Sequence, residues 1–147
     1  FILEKNFAVD QGALKALIAE DNASCATYAA SIFKRNNYST VSAESVKELR
    51  FLLGNTRFTM ILLSSCIPEV GKIIKEIRAS DPNIPIILTA EEAEKSAAIA
   101  YRYQGVDKVL YKPYLHEELV SIIKKHQILI NMKEEEEAKC CKKRVYL

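Results

Sequence analysis

Four short apolar segments of the chain are each followed by side chains that can do chemistry: Glu20 with Asp21, then Ser64, Thr89 and Lys112. Two adjacent carboxylates can attract a hard divalent cation, which prefers oxygen ligands. A lysine ammonium can neutralise an anion, whereas a serine hydroxyl becomes a nucleophile only where a base activates it. If one sheet brings these segment ends together, they form a single polar site.

The two histidines of the chain are poor candidates for that base. His116 and His126 lie ten residues apart on the last predicted helix, which places them on different faces. We therefore expect neither a Ser–His pair nor a pair of histidine metal ligands.

The elements that must position the polar residues follow from the apolar pattern. From Leu14 onwards, short apolar runs alternate with longer stretches of helical periodicity, which is typical of βαβ units and of a parallel sheet. The predicted strands are 14–19, 38–42, 58–63, 86–89 and 108–111. The polar residues would then stand at the carboxyl ends of four strands, where open parallel sheets bind their ligands.

Local signals bound the predicted helices. Asn22 is expected to cap a helix that ends near Asn36, and Gly54 to take the left-handed position that closes a helix over 44–53. A third helix ends at the turn 81–83, and a fourth spans 91–104 with Gly105 behind it. The last begins after Lys112-Pro113 and ends near His126.

Over about residues 14–126 the chain resembles the receiver domain of two-component response regulators. Glu20-Asp21 resembles the metal-binding acids of that family, Thr89-Ala90 its switch position, and Lys112-Pro113 its lysine before a proline. Pro68 and the segment 105–107 also lie where the family has them. The resemblance implies a flavodoxin-like, doubly wound (βα)5 fold of class α/β, with five parallel strands in the order 2-1-3-4-5.

The chain departs from the family at the residue that matters most. In the family the third strand ends in the aspartate that a partner histidine kinase phosphorylates, and the corresponding residue here is Ser64. We interpret Ser64 as an inert replacement, with phosphorylation of the serine as the less favoured reading. The loop after this strand is also about two residues short, and Val109 stands where the family has an aromatic switch residue.

These residues favour an atypical receiver, a pseudo-receiver, within two-component phosphorelay signalling. It is expected to be a protein-interaction or regulatory module and not an enzyme, with no required cofactor. Glu20 and Asp21 are candidate Mg²⁺ ligands, but the third carboxylate of the family is missing. Lys112, which in the family neutralises the phosphoryl group, would pair with Glu20 or Asp21 or bond to Ser64, fixing the site in one arrangement.

Two alternatives stay open. The chain could still be switched by metal-dependent phosphorylation at another residue, such as Ser64 or Asp21. It could instead be a structural dimerisation module that pairs through a long last helix.

Four tyrosines crowd the segment from the fourth predicted helix to the start of the fifth: Tyr101, Tyr103, Tyr111 and Tyr114. The resemblance makes this segment the usual signalling and dimerisation face, so the tyrosines are candidates for a partner face. The expected partners are a histidine kinase or an output domain of the same chain, with a homodimer possible.

Composition limits the other classes of function. A length of 147 residues suits one domain, and 21 Lys+Arg against 19 Asp+Glu give a net charge of +2, which does not favour nucleic acid as a partner. The longest apolar runs hold four or five residues, too few for a membrane segment. The four cysteines lack the spacing of a disulfide framework or a zinc site, so a reduced, cytoplasmic setting is expected.

The ends of the chain are expected to be extensions. Residues 1–13 read as an N-terminal extension or linker, 14–126 as the receiver-like domain, and 127–147 as a charged tail. The start without Met and without a signal peptide favours a chain that is cut from a longer protein or trimmed at its start.

Overall fold

The alternation of strands and helices is regular over residues 14–126, the part of the chain that this computed structural model describes. The strands are β1 (Leu14–Ala19), β2 (Tyr38–Ala43), β3 (Met60–Ser64), β4 (Ile86–Glu91) and β5 (Lys108–Lys112). The helices are α1 (Ala23–Arg35), α2 (Val46–Asn55), α3 (Val70–Ser80) and α4 (Lys95–Gln104), followed by α5 over 116–126. A short 3₁₀ turn, Glu92–Glu94, precedes α4. The two predicted extensions lie outside the described residues.

The five strands form one parallel sheet in the order β2-β1-β3-β4-β5, which confirms the predicted order and fold class. Alternate residues of the central strands pack into two separate cores. Leu17 and Ile61 pack with residues of α2, α3 and α4 on one face, while Ile18 and Leu62 pack with residues of α1 and α5 on the other. The sheet is therefore covered by helices on both faces, as apolar central strands require.

Side-chain caps determine where the first two helices begin. Asn22 Oδ1 accepts hydrogen bonds from the backbone N–H groups of Ser24 and Cys25, at 2.8 and 3.2 Å, as predicted for an N-cap. Ser45 Oγ accepts from the backbone N–H of Glu48 at 3.1 Å. Helix α2 therefore begins at Val46 and not at residue 44.

The two predicted glycine caps have different outcomes. Gly105 closes α4 with a φ of 128°, in the region that favours glycine, so this prediction is confirmed. Gly54 lies inside α2, which continues to Asn55, and the prediction of a cap there is wrong. The backbone N–H of Thr56 still bonds to the carbonyl of Leu52, so the helical pattern passes through the glycine.

Two further boundaries differ from prediction next to the polar site. Strand β3 runs from Met60 to Ser64. The preceding residue, Thr59, also contacts β1: its backbone N–H donates to the carbonyl of Lys15 at 2.7 Å, and its Oγ1 accepts the backbone N–H of Lys15 at 3.0 Å. Strand β4 runs through Glu91, so α4 begins at Lys95 and not at residue 91.

None of the helices within residues 14–126 has the length and apolar character needed to cross a membrane.

Candidate functional site

The carboxyl edge of the sheet brings five of the predicted site residues together. Ser64 at the end of β3 lies beside Thr89 of β4, and Lys112 at the end of β5 lies beside Glu91. Glu20 and Asp21 follow β1 directly, and hydrogen bonds join them to residues of the other three strands.

Glu20 stands at the centre of this cluster. Its Oε2 accepts a hydrogen bond from Thr89 Oγ1 at 2.7 Å, and its Oε1 accepts one from Lys112 Nζ at 2.9 Å. The side chain of Glu20 is 0% exposed and that of Lys112 is 13% exposed. Both carboxylate oxygens are thus engaged out of solvent, in a charge-assisted pair with the lysine.

The charge state of Lys112 follows from this contact. Burial tends to lower the pKa of Lys112, but the hydrogen bond and the charge of Glu20 outweigh it, and the pKa of Lys112 is raised. The ammonium form is therefore held in place at neutral pH. The sequence left Glu20, Asp21 and Ser64 as possible partners of this lysine, and in the structure its ammonium group bonds to Glu20.

Ser64 is fully buried, and its hydroxyl forms a second, separate contact. Ser64 Oγ donates to Asp21 Oδ1 at 3.0 Å and accepts the backbone N–H of Cys66 at 3.2 Å. No base near this serine is evident from the sequence, whereas in the structure the carboxylate of Asp21 accepts a hydrogen bond from its hydroxyl. No histidine contacts the hydroxyl in the described part of the chain.

The acids do not suit a magnesium ion as they stand. Both carboxylate oxygens of Glu20 already accept hydrogen bonds, one from Thr89 and one from Lys112. The positive charge of the Lys112 ammonium disfavours a second cation at this carboxylate. Asp21 Oδ1 already accepts a hydrogen bond from the hydroxyl of Ser64 at 3.0 Å. Within residues 14–126 there is no group of three or more His, Cys, Asp or Glu side chains placed to hold a metal. The geometry therefore supplies too few free carboxylates for the octahedral oxygen shell that Mg²⁺ prefers.

Sequence reasoning missed a link between the loop after β3 and the turn after β4. Ser65 donates from its backbone N–H to the carbonyl of Thr89 at 2.8 Å, and from its Oγ to Glu94 Oε1 at 3.2 Å. Glu94 also forms a reciprocal capping box with Glu91. The acid three residues after Glu91 was the available signal for the box, but nothing in the sequence pairs Glu94 with Ser65.

The four tyrosines do not form one face, which corrects the expectation that they do. Tyr114 is buried in the core under α1 and α5, where its ring centroid lies 5.5 Å from that of Tyr28. Tyr101 and Tyr111 are partly buried and pack on the opposite core. Tyr103 is 90% exposed and is the one tyrosine of the four that a partner can reach fully.

The buried position of Tyr114 has an electrostatic consequence. Its hydroxyl has no hydrogen-bond partner among the described residues. Burial first, and the nearby charge of Glu20 second, raise the pKa of Tyr114 well above its usual range. The phenol therefore stays neutral beneath the carboxylate site.

Comparison with known proteins agrees with this geometry. A family model described as the response regulator receiver domain matches residues 16–124, more than half of the chain. Among solved structures, the chain is similar to NtrX from Brucella abortus, with a TM-score of 0.75 and 15% identity over 84% of this chain and 29% of NtrX. No curated protein sequence gives a significant match.

Two single-domain structures are similar over nearly their whole length. A CheY-like receiver domain protein from Methanospirillum hungatei JF-1 has a TM-score of 0.72 and 18% identity, covering 84% of this chain and 98% of that one. The receiver domain of response regulator 1452 from Francisella has a TM-score of 0.68 and 25% identity, covering 82% and 98%. The described fold thus corresponds to a complete domain in these structures and to less than a third of NtrX.

Proposed function

Because the chain belongs to the response regulator receiver domain family, we propose that it is an atypical receiver that regulates a partner without phosphorylation of an aspartate. The observation that carries the proposal is the carboxylate of Glu20, which accepts hydrogen bonds from both Thr89 and Lys112. These are the two side chains that, by the resemblance, a phosphoryl group would engage.

The chemistry of the carboxylate supports this assignment. A carboxylate and a phosphoryl group both present negatively charged oxygens that accept strong hydrogen bonds from ammonium and hydroxyl donors. Glu20 already supplies such oxygens inside the protein, at 2.7 and 2.9 Å from the two donors. The carboxylate of Glu20 therefore takes the place of a phosphoryl group at Thr89 and Lys112. The chain acts as a receiver whose site keeps the same hydrogen bonds at all times.

Ser64 supports the same proposal. Its hydroxyl donates to Asp21, accepts from the backbone of Cys66 and is fully buried, so a phosphate donor would have to displace these contacts to reach it. The contact with Asp21 is nevertheless the geometry of a hydroxyl beside a base, which favours phosphorylation of Ser64 as the second candidate function.

The partner surface that we propose is the exposed side of α4. Ile99 and Tyr103 lie four residues apart, so they share a face of the helix, and they are 46% and 90% exposed. A histidine kinase or an output domain in the cytoplasm is the partner class that the family supports, and a second copy of the chain is the other.

The test is an amide-resolved NMR titration of the full chain with Mg²⁺, followed by beryllofluoride, which stands in for an aspartyl phosphate. We expect the signals of Asp21, Ser64, Thr89 and Lys112 to stay in place, because residues 14–126 contain no group of acids placed to hold a metal and Ser64 offers a hydroxyl in place of a carboxylate. Shifts clustered at these four residues would overturn the proposal.

A second arm separates the serine alternative. The full chain is incubated with acetyl phosphate and Mg²⁺ beside a Ser64→Ala control, and intact mass is measured. We expect no added phosphate on either protein. A phosphate that appears on the wild type and is missing from the control would establish Ser64 as the acceptor.

A further inference from the structure

A cleft of about 670 Å³ opens at the amino edge of the sheet, at the opposite end from the carboxylate site. It lies between the carboxyl-terminal halves of α2 and α3, next to the beginnings of β3 and β4. None of the predicted site residues lines it. Its size falls within the range of small-molecule sites in proteins.

The floor of the cleft is apolar. Ile61 and Ile77 are buried in the core beneath it, and Leu53, Phe58 and Ile84 pack on that core but remain partly exposed at its walls. A ligand with an apolar body would remove this exposed surface from water, which is the main favourable contribution to binding in such a site.

The charged residues around the cleft are not equivalent. Arg50 donates to Glu76 at 3.2 Å and to Glu69 at 3.3 Å, so its guanidinium is already neutralised. Asp81 Oδ1 accepts the backbone N–H groups of Asn83 and Ile84, at 2.9 and 3.1 Å. The side chain of Arg57 is exposed and forms no ion pair or hydrogen bond with any other residue of the range 14–126.

We propose that this cleft binds a small amphipathic anion. Its aromatic or aliphatic body would lie against Leu53, Phe58 and Ile84, and its anionic group would contact Arg57. A guanidinium suits a carboxylate or sulfonate because its N–H groups bond to two oxygens at once. The proposal concerns a second site and does not depend on how the carboxylate site works.

The test compares two probes that share an aromatic body and differ in charge. The sulfonate 8-anilinonaphthalene-1-sulfonate and the neutral N-phenyl-1-naphthylamine are titrated into the full chain, and methyl NMR shifts are followed. We expect saturable shifts at Leu53, Ile61 and Ile84, with the sulfonate bound more tightly. Shifts that cluster elsewhere, or the absence of saturable binding, would overturn the proposal.

Matched variants test the charge. Arg57→Gln is expected to weaken binding of the sulfonate about tenfold, the size of one hydrogen bond to a charged group, and to leave the neutral probe unchanged. Arg35→Gln is the control, because Arg35 is an exposed arginine on α1, on the other face of the sheet. Equal binding of the sulfonate to both variants would rule out a role for Arg57.

A steric variant tests the location. Leu53→Trp is expected to fill part of the cleft and weaken both probes, with near-UV circular dichroism used to confirm that the variant is folded. Unchanged binding to a folded Leu53→Trp protein would place the probes outside the cleft. If that variant does not fold, the comparison of Arg57→Gln with Arg35→Gln decides the proposal.

Discussion

Lys112 Nζ lies 2.9 Å from Glu20 Oε1, and this ion pair joins residues that are 92 positions apart in the chain. It connects the end of β5 to the end of β1 across two intervening strands. Since the side chain of Glu20 is 0% exposed, the carboxylate depends on this lysine and on Thr89 for its stability inside the protein.

Removal of Lys112 should therefore be costly. Lys112→Met is expected to lower the free energy of unfolding by about 3 kcal/mol, because it leaves a buried carboxylate without its cation. Urea unfolding measures the change, and Lys108→Met is the control because Lys108 lies exposed at the start of the same strand. Equal stability of the two variants would contradict a stabilising ion pair.

A double-mutant cycle isolates the pair itself. Glu20→Gln combined with Lys112→Met should cost less than the sum of the two single changes, by about 1–3 kcal/mol, since neither charge is left alone. Additive effects would mean that each residue acts through other contacts.

Ser64 offers a test of how the site tolerates an additional negative charge. Ser64→Asp is expected to destabilise the protein, because it puts a second carboxylate within about 3 Å of Asp21 in a fully buried position. Mg²⁺ should recover part of that loss in thermal unfolding and should leave the wild type unchanged. Ser64→Ala removes the hydrogen bond without adding charge and should cost about 1 kcal/mol. A Ser64→Asp protein as stable as the wild type without Mg²⁺ would contradict the prediction.

The two glycines with different outcomes give a matched pair of variants. At Gly105 the φ is 128° and an added Cβ would lie 2.7 Å from Arg78 Cγ, so Gly105→Ala should lower the free energy of unfolding by about 1–3 kcal/mol. Gly54 lies inside a helix, and an added Cβ would have no atom within 4 Å. Gly54→Ala should therefore raise the free energy of unfolding by about 0.5–1 kcal/mol. Chemical denaturation distinguishes them, and the same sign of change at both positions would be inconsistent with the described backbone.

His126 should make stability depend on pH. Burial lowers the pKa of His126 below its ordinary value of 6.5, although the charge of Asp107 opposes this. In the pH range between the lowered folded pKa and 6.5, the folded protein binds fewer protons at His126 than the unfolded chain does. The contribution of neutral His126 to stability is therefore fully present above pH 6.5 and is lost as the pH falls from that value towards the folded pKa. Unfolding between about pH 5 and pH 8 measures the slope, which His126→Gln should reduce. His116→Gln is the control, and a slope unchanged in His126→Gln would assign it to other groups.

The sheet could be predicted from the sequence because its strands are apolar runs between helical repeats, and their order follows from the family resemblance. The partner of Lys112 could not be chosen in the same way. Glu20 and Asp21 are adjacent, and only the direction of each side chain beyond β1 decides that one faces Lys112 and the other Ser64. That direction is a tertiary property of the site.

Other differences have equally local causes. A glycine after an apolar stripe predicts a helix end, but α2 continues for one more residue, Asn55, because the backbone N–H of Thr56 still bonds to the carbonyl of Leu52. Tyr114 lies between a strand and a helix, where no periodicity tells which side chains turn inward, and its ring packs on Tyr28. The cleft at the amino edge depends on the spacing of α2 and α3, which a linear pattern does not encode.

Helix α4 carries Tyr103, the most exposed tyrosine within residues 14–126, and buries few of its own side chains. Ala98 is the one residue of α4 that is fully buried, and behind the carboxyl end of the helix Arg78 donates to the carbonyl of Gly105 at 2.7 and 2.9 Å. Local opening should therefore cost less free energy here than global unfolding. Amide hydrogen exchange in the first turns of α4 is expected to be faster than in α3, so that docking could reorder this helix while the sheet and its carboxylate site stay intact.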